Sequence, residues 1–341
     1  MIDLERAIQH GLPDIEGLPP SVKVYHYNGM DDFYRIIALE IDRLHACSGA
    51  PKTKEQTSAS CEGRKENSNP LPLIDGTLRT FTGGILLGDC CRPNFPGDSR
   101  NSHNKDESED LIFIIHPTTF QKDFMESDPP VRQKIFFSPR TNILIVKMLG
   151  PAHEHATQAF HSMLMQAIEP TGLHQKIQHW GKTTMLALDG TRKEADGGWS
   201  LLRHSRGVPK RPTVVLEVAN SETYAKLQRD AQYWLDPARQ EANVAIGVNL
   251  NTQKPEIIID QWHWSSGLSQ PILQTHLTLR ETSNGTVYFD PDTPLPQLII
   301  PFHLFFRRPA QENRERDIVI ATQELVDFAT QVWEVQFDQD Q

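Results

Sequence analysis

PTVVLEVANSETYAKLQRDAQYWL, residues 212–235, decides how the chain folds. Its first part, TVVLEV at 213–218, is β-branched and apolar except for Glu217, a pattern that predicts a buried strand. Side chains alternate across a strand, so Val215 and Glu217 share one face, with Val214, Leu216 and Val218 on the other. Asn220 or Ser221 is expected to cap the following helix, whose apolar stripe is Tyr224, Leu227, Ala231, Trp234 and Leu235. A carboxylate within such an apolar run is costly to bury unless a cation sits beside it. Two residues on stands Ala219, which supplies none. Lys226 lies off the apolar stripe, about one turn or roughly 6–8 Å along the helix axis, within reach of the end of the strand.

Outward from this stretch, the order of elements predicts a mixed α/β fold, one sheet with helices on its faces. Upstream, RQKIFFSPRTNILIVKMLG (132–150) reads as two strands about a turn. PAHEHATQAFHSMLMQAIEP (151–170) reads as a helix between two prolines. KIQHW (176–180) and TTMLALDG (183–190) are strand-like, and TRKEADGGW (191–199) reads as a loop from which Asp196 opens a strand. Downstream, NVAIGVNLN (243–251) and PEIIIDQWHW (255–264) are strands, and Asn284-Gly285 marks a hairpin turn. A proline-rich connector, 291–309, leads to a final amphipathic helix, TQELVDFATQVWEVQ (322–336). The expected domains are a helical segment at 1–45, a largely disordered insert at 46–110, and an α/β domain at 111–341 with its core at about 130–265. The insert is polar and rich in Ser, Lys, Glu and Gly.

The net charge of −10 supplies no global basic field for nucleic acid, so any such binding rests on a local basic rim. The four cysteines form no CxxC pair and make a poor zinc site. There is no run of roughly 18 apolar residues and no signal-peptide core, so no membrane association and an intracellular location are expected.

Acids in this order suit one chemistry in particular. Metal-assisted phosphodiester hydrolysis needs carboxylates converging on Mg²⁺ and a lysine near the attacking water. Glu154 on the first core helix, Asp196, Glu217 and Lys226 are the candidates. EADGGW followed by PTVVLEVANSETYAKLQRDAQYWL resembles the core of the PD-(D/E)XK nuclease superfamily, the restriction-endonuclease-like fold, and within it a branch common in filamentous fungi. The resemblance implies Mg²⁺ (or Mn²⁺) held by Asp196 and Glu217, and a catalytic lysine migrated to the helix as Lys226. It also implies an assisting acid at Glu154, and nucleic acid, DNA favoured, as substrate. Two departures stand out: Asp196 follows Glu194-Ala195 rather than proline, and Ala219 replaces the usual lysine.

Each residue also has a plainer reading. Glu217 suits a solvated strand edge, although its neighbours argue against that. Asp196-Gly197 is a common turn dipeptide. Lys226 pairs naturally with Glu222 four residues earlier. Glu154, flanked by His153 and His155 without HExxH spacing, suits the start of a helix dipole. The basic segment LLRHSRGVPKRP (201–212), with Arg203, Arg206, Lys210 and Arg211, suits a phosphate-gripping loop or an ordinary solvated one. Trp199, Trp262 and Trp264 suit base stacking or core. The alternative for the whole chain is a non-catalytic module of the same fold. It would bind nucleic acid, or a partner protein through the insert.

Overall fold

The structure, a computed structural model, describes residues 18–19, 22–48, 108–127, 133–181, 183–202, 210–220, 223–240, 242–291, 293 and 296–337. The described residues belong to one compact unit; residues 49–104, and with them nearly all of the expected insert, lie outside the described residues. In chain order the elements are β1 (Lys23–His26), α1 (Met30–Ser48), β2 (Asp110–Ile114), α2 (Pro117–Phe120), β3 (Lys134–Ser138) and β4 (Ile143–Lys147). There follow α3 (Pro151–Ile168), β5 (Ile177–His179), β6 (Met185–Leu186), β7 (Arg192–Lys193), β8 (Gly197–Leu201), β9 (Val214–Ala219) and α4 (Tyr224–Leu235). The rest are β10 (Val244–Leu250), β11 (Glu256–Ser265), β12 (Gln270–Glu281), β13 (Val287–Phe289), β14 (Leu298–Ile300), α5 (Phe302–Phe306), β15 (Ile318–Ile320) and α6 (Thr322–Phe337).

The quoted stretch is the hub. β9 is buried at every position, and after α4 the chain returns as β10, parallel to β9 with Glu217 opposite Gly247. A parallel pair needs such a crossover, and the helix supplies it. The resulting sheet is mixed and seven-stranded, in the order β13-β12-β11-β10-β9-β8-β5. Alternation along β9 sorts its side chains between two cores. Val214, Leu216 and Val218 pack with Phe160 and Leu164 of α3 and Phe328 and Trp333 of α6. Val215 and Ala219 pack with Leu227, Ala231 and Trp234 of α4 and Trp262 of β11. Burying one such aliphatic chain contributes about 1.5–3 kcal/mol, so helices cover both faces of β9. The fold class is mixed α/β, as the element order predicts, but the expected single sheet is replaced among the described residues by sheets of seven, six and two strands, the last being β14 with β15.

A second sheet, β1-β2-β4-β3-β7-β6, stands beside it. Here β1 pairs in parallel with β2, and Phe33, Ile36 and Ile37 of α1 pack on Leu111, Phe113, Leu144 and Val146. Among the described residues no helix is long and apolar enough to cross a membrane.

Several local expectations need correction. The N-cap of α4 is Thr223, whose hydroxyl accepts from the Lys226 amide, while Asn220 donates to Glu109 at 2.7 Å; Ser221 lies outside the described residues. Tyr224 is 37% exposed and Tyr233 is buried in its place. The supposed loop at 191–199 contains β7 and the start of β8, and the proline-rich connector contains β14 and α5. β7 is two residues long and β14 three, too short for a periodic signal. The Asn284-Gly285 turn is as expected, with Gly285 at φ +80° between β12 and β13.

Gly247 lets α4 lie close on β10: a Cβ there would meet Leu227 and Trp262 carbons at 2.8 Å. Gly247→Val is expected to cost about 1–3 kcal/mol through overpacking. An unchanged urea midpoint would count against that packing.

Candidate active site

Asp196 sits just before β8, and the residue after it is under tight constraint. A Cβ at Gly197 would come within 2.7 Å of the Trp199 ring. The glycine is therefore required by close approach within a strand. The Asp196 carboxylate is buried and bonded at both oxygens. Oδ1 accepts from Lys134 Nζ at 2.7 Å and lies 3.0 Å from His153 Nε2. Oδ2 accepts from the Val218 amide at 2.7 Å and lies 3.5 Å from Lys147 Nζ. Lys147 also donates to the Val218 carbonyl at 2.6 Å, and Lys134 to the Ala195 carbonyl at 2.9 Å. Lys134 and Lys147 face each other in register across β3 and β4. Two like charges directly opposite are unfavourable, and Asp196 offsets them.

Glu217 is held from a different direction. Its Oε1 accepts from the Trp234 indole and lies 3.2 Å from Lys193 Nζ. Lys193, from β7, is paired with Asp230 of α4 as well, and lies over the rings of Tyr233 and Trp234 at 5.6 and 5.7 Å. Asp230 in turn pairs with Lys226 at 2.9 Å. Asp230 and Lys193 thus link Lys226 to Glu217. Lys226 bonds forward along its own helix to Asp230; Glu222, the other candidate partner, lies outside the described residues.

Asp196, Glu217, Lys134, Lys147, Lys193 and Lys226 all line one cavity of about 250 Å³, together with Asp230, Arg229 and Arg239. Glu154 does not line it. The first turn of α3 presents the neighbouring His153 to Asp196 instead. Of the basic segment, Arg203 and Arg206 lie outside the described residues. Lys210 is exposed, Arg211 is buried, and neither lines the cavity. Trp199 and Trp262 are buried in the cores, and Trp264 packs partly buried beside them.

The electrostatics separate the two acids. Burial alone would raise Asp196, but His153, Lys134 and Lys147 outweigh it and hold the carboxyl well below the usual range. Burial drives Glu217 up to about 7, against the pull of Lys193 and with Asp230 and Asp196 adding to the rise. Asp230 stays low because Lys193 and Lys226 overcome its burial. Lys193 is raised by Asp230 and Glu217 despite its burial, and burial lowers His153 against the pull of Asp196.

The donor chemistry fits a hard divalent cation. Asp196 Oδ2, next to the start of β8, and the Val218 carbonyl and Glu217 carboxylate on the adjacent β9 are oxygen donors. Among those residues, no group of three or more His, Cys, Asp or Glu side chains is arranged to hold a metal. Mg²⁺ characteristically uses one or two carboxylates and fills its remaining positions with water and substrate phosphate.

A raised carboxyl pKa has a signed effect on stability. The folded state keeps the Glu217 proton that the unfolded state loses near 4.5, so its contribution is full below that pH and lost as pH rises through about 7. Glu217→Gln keeps an acceptor for Trp234 and removes the titration. Its melting temperature is expected to fall less than wild type between pH 5.5 and 8, by at least about 2 °C. Parallel pH profiles for the two proteins would contradict this environment for Glu217.

No family model matches the chain, and no curated protein matches it. Among solved structures, one match is the crystal structure of a "putative nuclease belonging to DUF820" from Anabaena variabilis. It has 10% sequence identity and a TM-score of 0.34, covering 61% of this chain and 97% of that one. A likeness of that degree bears on neither fold nor chemistry.

Proposed function

We propose that the chain carries a nuclease site of the restriction-endonuclease-like, PD-(D/E)XK kind, hydrolysing phosphodiester bonds in nucleic acid with Mg²⁺ or Mn²⁺. One observation carries this reading: Asp196 and Glu217 line the same cavity as four lysines. The pairing of acids with cations is what phosphoryl chemistry needs, since the acids hold a metal and the cations receive a phosphate. When bound, the metal lowers the pKa of its water and neutralises charge building on the phosphate.

The chain's own residues divide the rest of the work. Asp196 and Glu217 hold the ion, with the Val218 carbonyl beside them. Lys193, at 3.2 Å from Glu217, orients the attacking water and meets the phosphate charge. It therefore takes the place that Ala219 leaves vacant in the sequence. Asp230 fixes Lys193, and Lys226 fixes Asp230, which makes Lys226 a positioning residue. Arg229 and Arg239 at the cavity supply charge for neighbouring phosphates. Glu154 has no direct part in this scheme; its helix acts through His153. Because Glu217 must be ionised to hold the ion, metal affinity rises with pH and levels off above about 7.

The test is cleavage of single- and double-stranded DNA and of RNA with Mg²⁺ or Mn²⁺. The double variant Asp196→Asn/Glu217→Gln is expected to lose cleavage altogether. Lys193→Met is expected to lose about 100-fold or more in kcat, and Lys226→Met about tenfold. Equal cleavage by wild type and the double variant would place the activity elsewhere. The competing reading, a binding module without catalysis, draws on the complete engagement of Asp196 by amines and an amide. It is supported if nucleic acid binds without being cut.

A further inference from the structure

Lys147 stands in an unusual place for a lysine. Its strand, β4, is apolar apart from this last residue, ILIVK, and buried throughout. Its side chain is 10% exposed, yet it does not simply lie along the cavity wall. The ammonium is 2.6 Å from the Val218 carbonyl oxygen and 3.5 Å from Asp196 Oδ2. A carbonyl and a carboxylate oxygen converging on one point form a cation site, since both present lone pairs and neither can donate. Lys134 differs: it takes the opposite oxygen, Oδ1, and the Ala195 carbonyl.

We propose that the Lys147 ammonium is a resident cation, occupying the position between Asp196 Oδ2 and the Val218 carbonyl that a divalent ion takes on binding. The inference rests on the metal-binding reading above and adds a regulation to it: metal enters by exchange with the lysine. An ammonium on both oxygens competes with a metal ion for them. An ion of double charge a few ångströms from a retained ammonium is strongly repelled in a buried site. Metal affinity is accordingly held down by an internal competitor. Once displaced, the flexible stem of Lys147 carries its charge into the cavity, where a phosphate would arrive.

The experiment is titration of the full-length chain with Mn²⁺ by calorimetry and by electron paramagnetic resonance, without nucleic acid. Lys147→Gln keeps a donor for the Val218 carbonyl and removes the charge, and Lys147→Met removes both. Circular dichroism melts verify that each is folded, and Lys147→Gln stands in if Lys147→Met is not. Both variants are expected to bind Mn²⁺ at least about tenfold more tightly than wild type, and Lys147→Arg no more tightly. Lys134→Gln removes the same charge from the other oxygen and is expected to give a clearly smaller gain. Equal gains at both positions would overturn the proposal, since the effect would then be one of general charge. Equal affinity in wild type and Lys147→Gln, abolished by Asp196→Asn, would overturn it while leaving the metal site standing. Absence of Mn²⁺ binding in every form would overturn both.

Discussion

The structure turns on one buried carboxylate. Asp196 gathers Lys134 and Lys147 from the second sheet, the amide of Val218 from the first, and His153 from α3. A buried ion pair returns little net stability, because desolvation consumes most of the attraction. Removing one partner is a different matter: it strands the others without compensation and costs about 3–5 kcal/mol. Asp196 thus acts less as an adhesive than as a condition. With it in place, β3 and β4 can hold two lysines in register against β8 and β9; without it, that approach is electrostatically unfavourable.

Glu217 is governed by a different balance. It has one close ammonium where Asp196 has two, and an indole hydrogen bond in addition. Burial therefore wins, and its proton is held to about neutral pH, whereas that of Asp196 is not. Two acids of similar intrinsic strength, one residue apart in their contacts with β9, are driven to opposite protonation behaviour by the cations around them.

Much of β9 and α4 was legible in the sequence. The period of two in VVLEVA separates Val215 and Glu217 from Val214, Leu216 and Val218, and the two cores divide along that line. Glu217 was legible too, as a charge among apolar neighbours, whereas Asp196, in the turn-like EADGG, was legible only by its place ahead of Glu217. The lysines that face them were not. Lys134 and Lys147 end apolar strands, where a charge usually marks the emergence of the chain into solvent. Their meeting depends on the β3–β4 register and on the docking of a separate sheet. Lys193 lies in TRKEADGG, whose polarity and glycines read as a loop, because β7 is only two residues long. One clue was available: ILIVK is too apolar to sit at an exposed edge, so its lysine needed a buried partner. Lys226, by contrast, stands out by the helix period, while Asp230, four residues on, has the spacing of an ordinary surface i,i+4 pair and carries no signal of burial.

The face-to-face register of Lys134 and Lys147 constrains how this protein can change over generations. Neither lysine nor Asp196 is a free variable: losing the acid leaves two cations opposed, and losing a cation shifts the acid. Single substitutions among the three pass through a less stable intermediate, which favours their replacement together over replacement one at a time. Drift at the site would leave its mark in all three positions together, long before the hydrophobic cores on either side of β9 recorded any change.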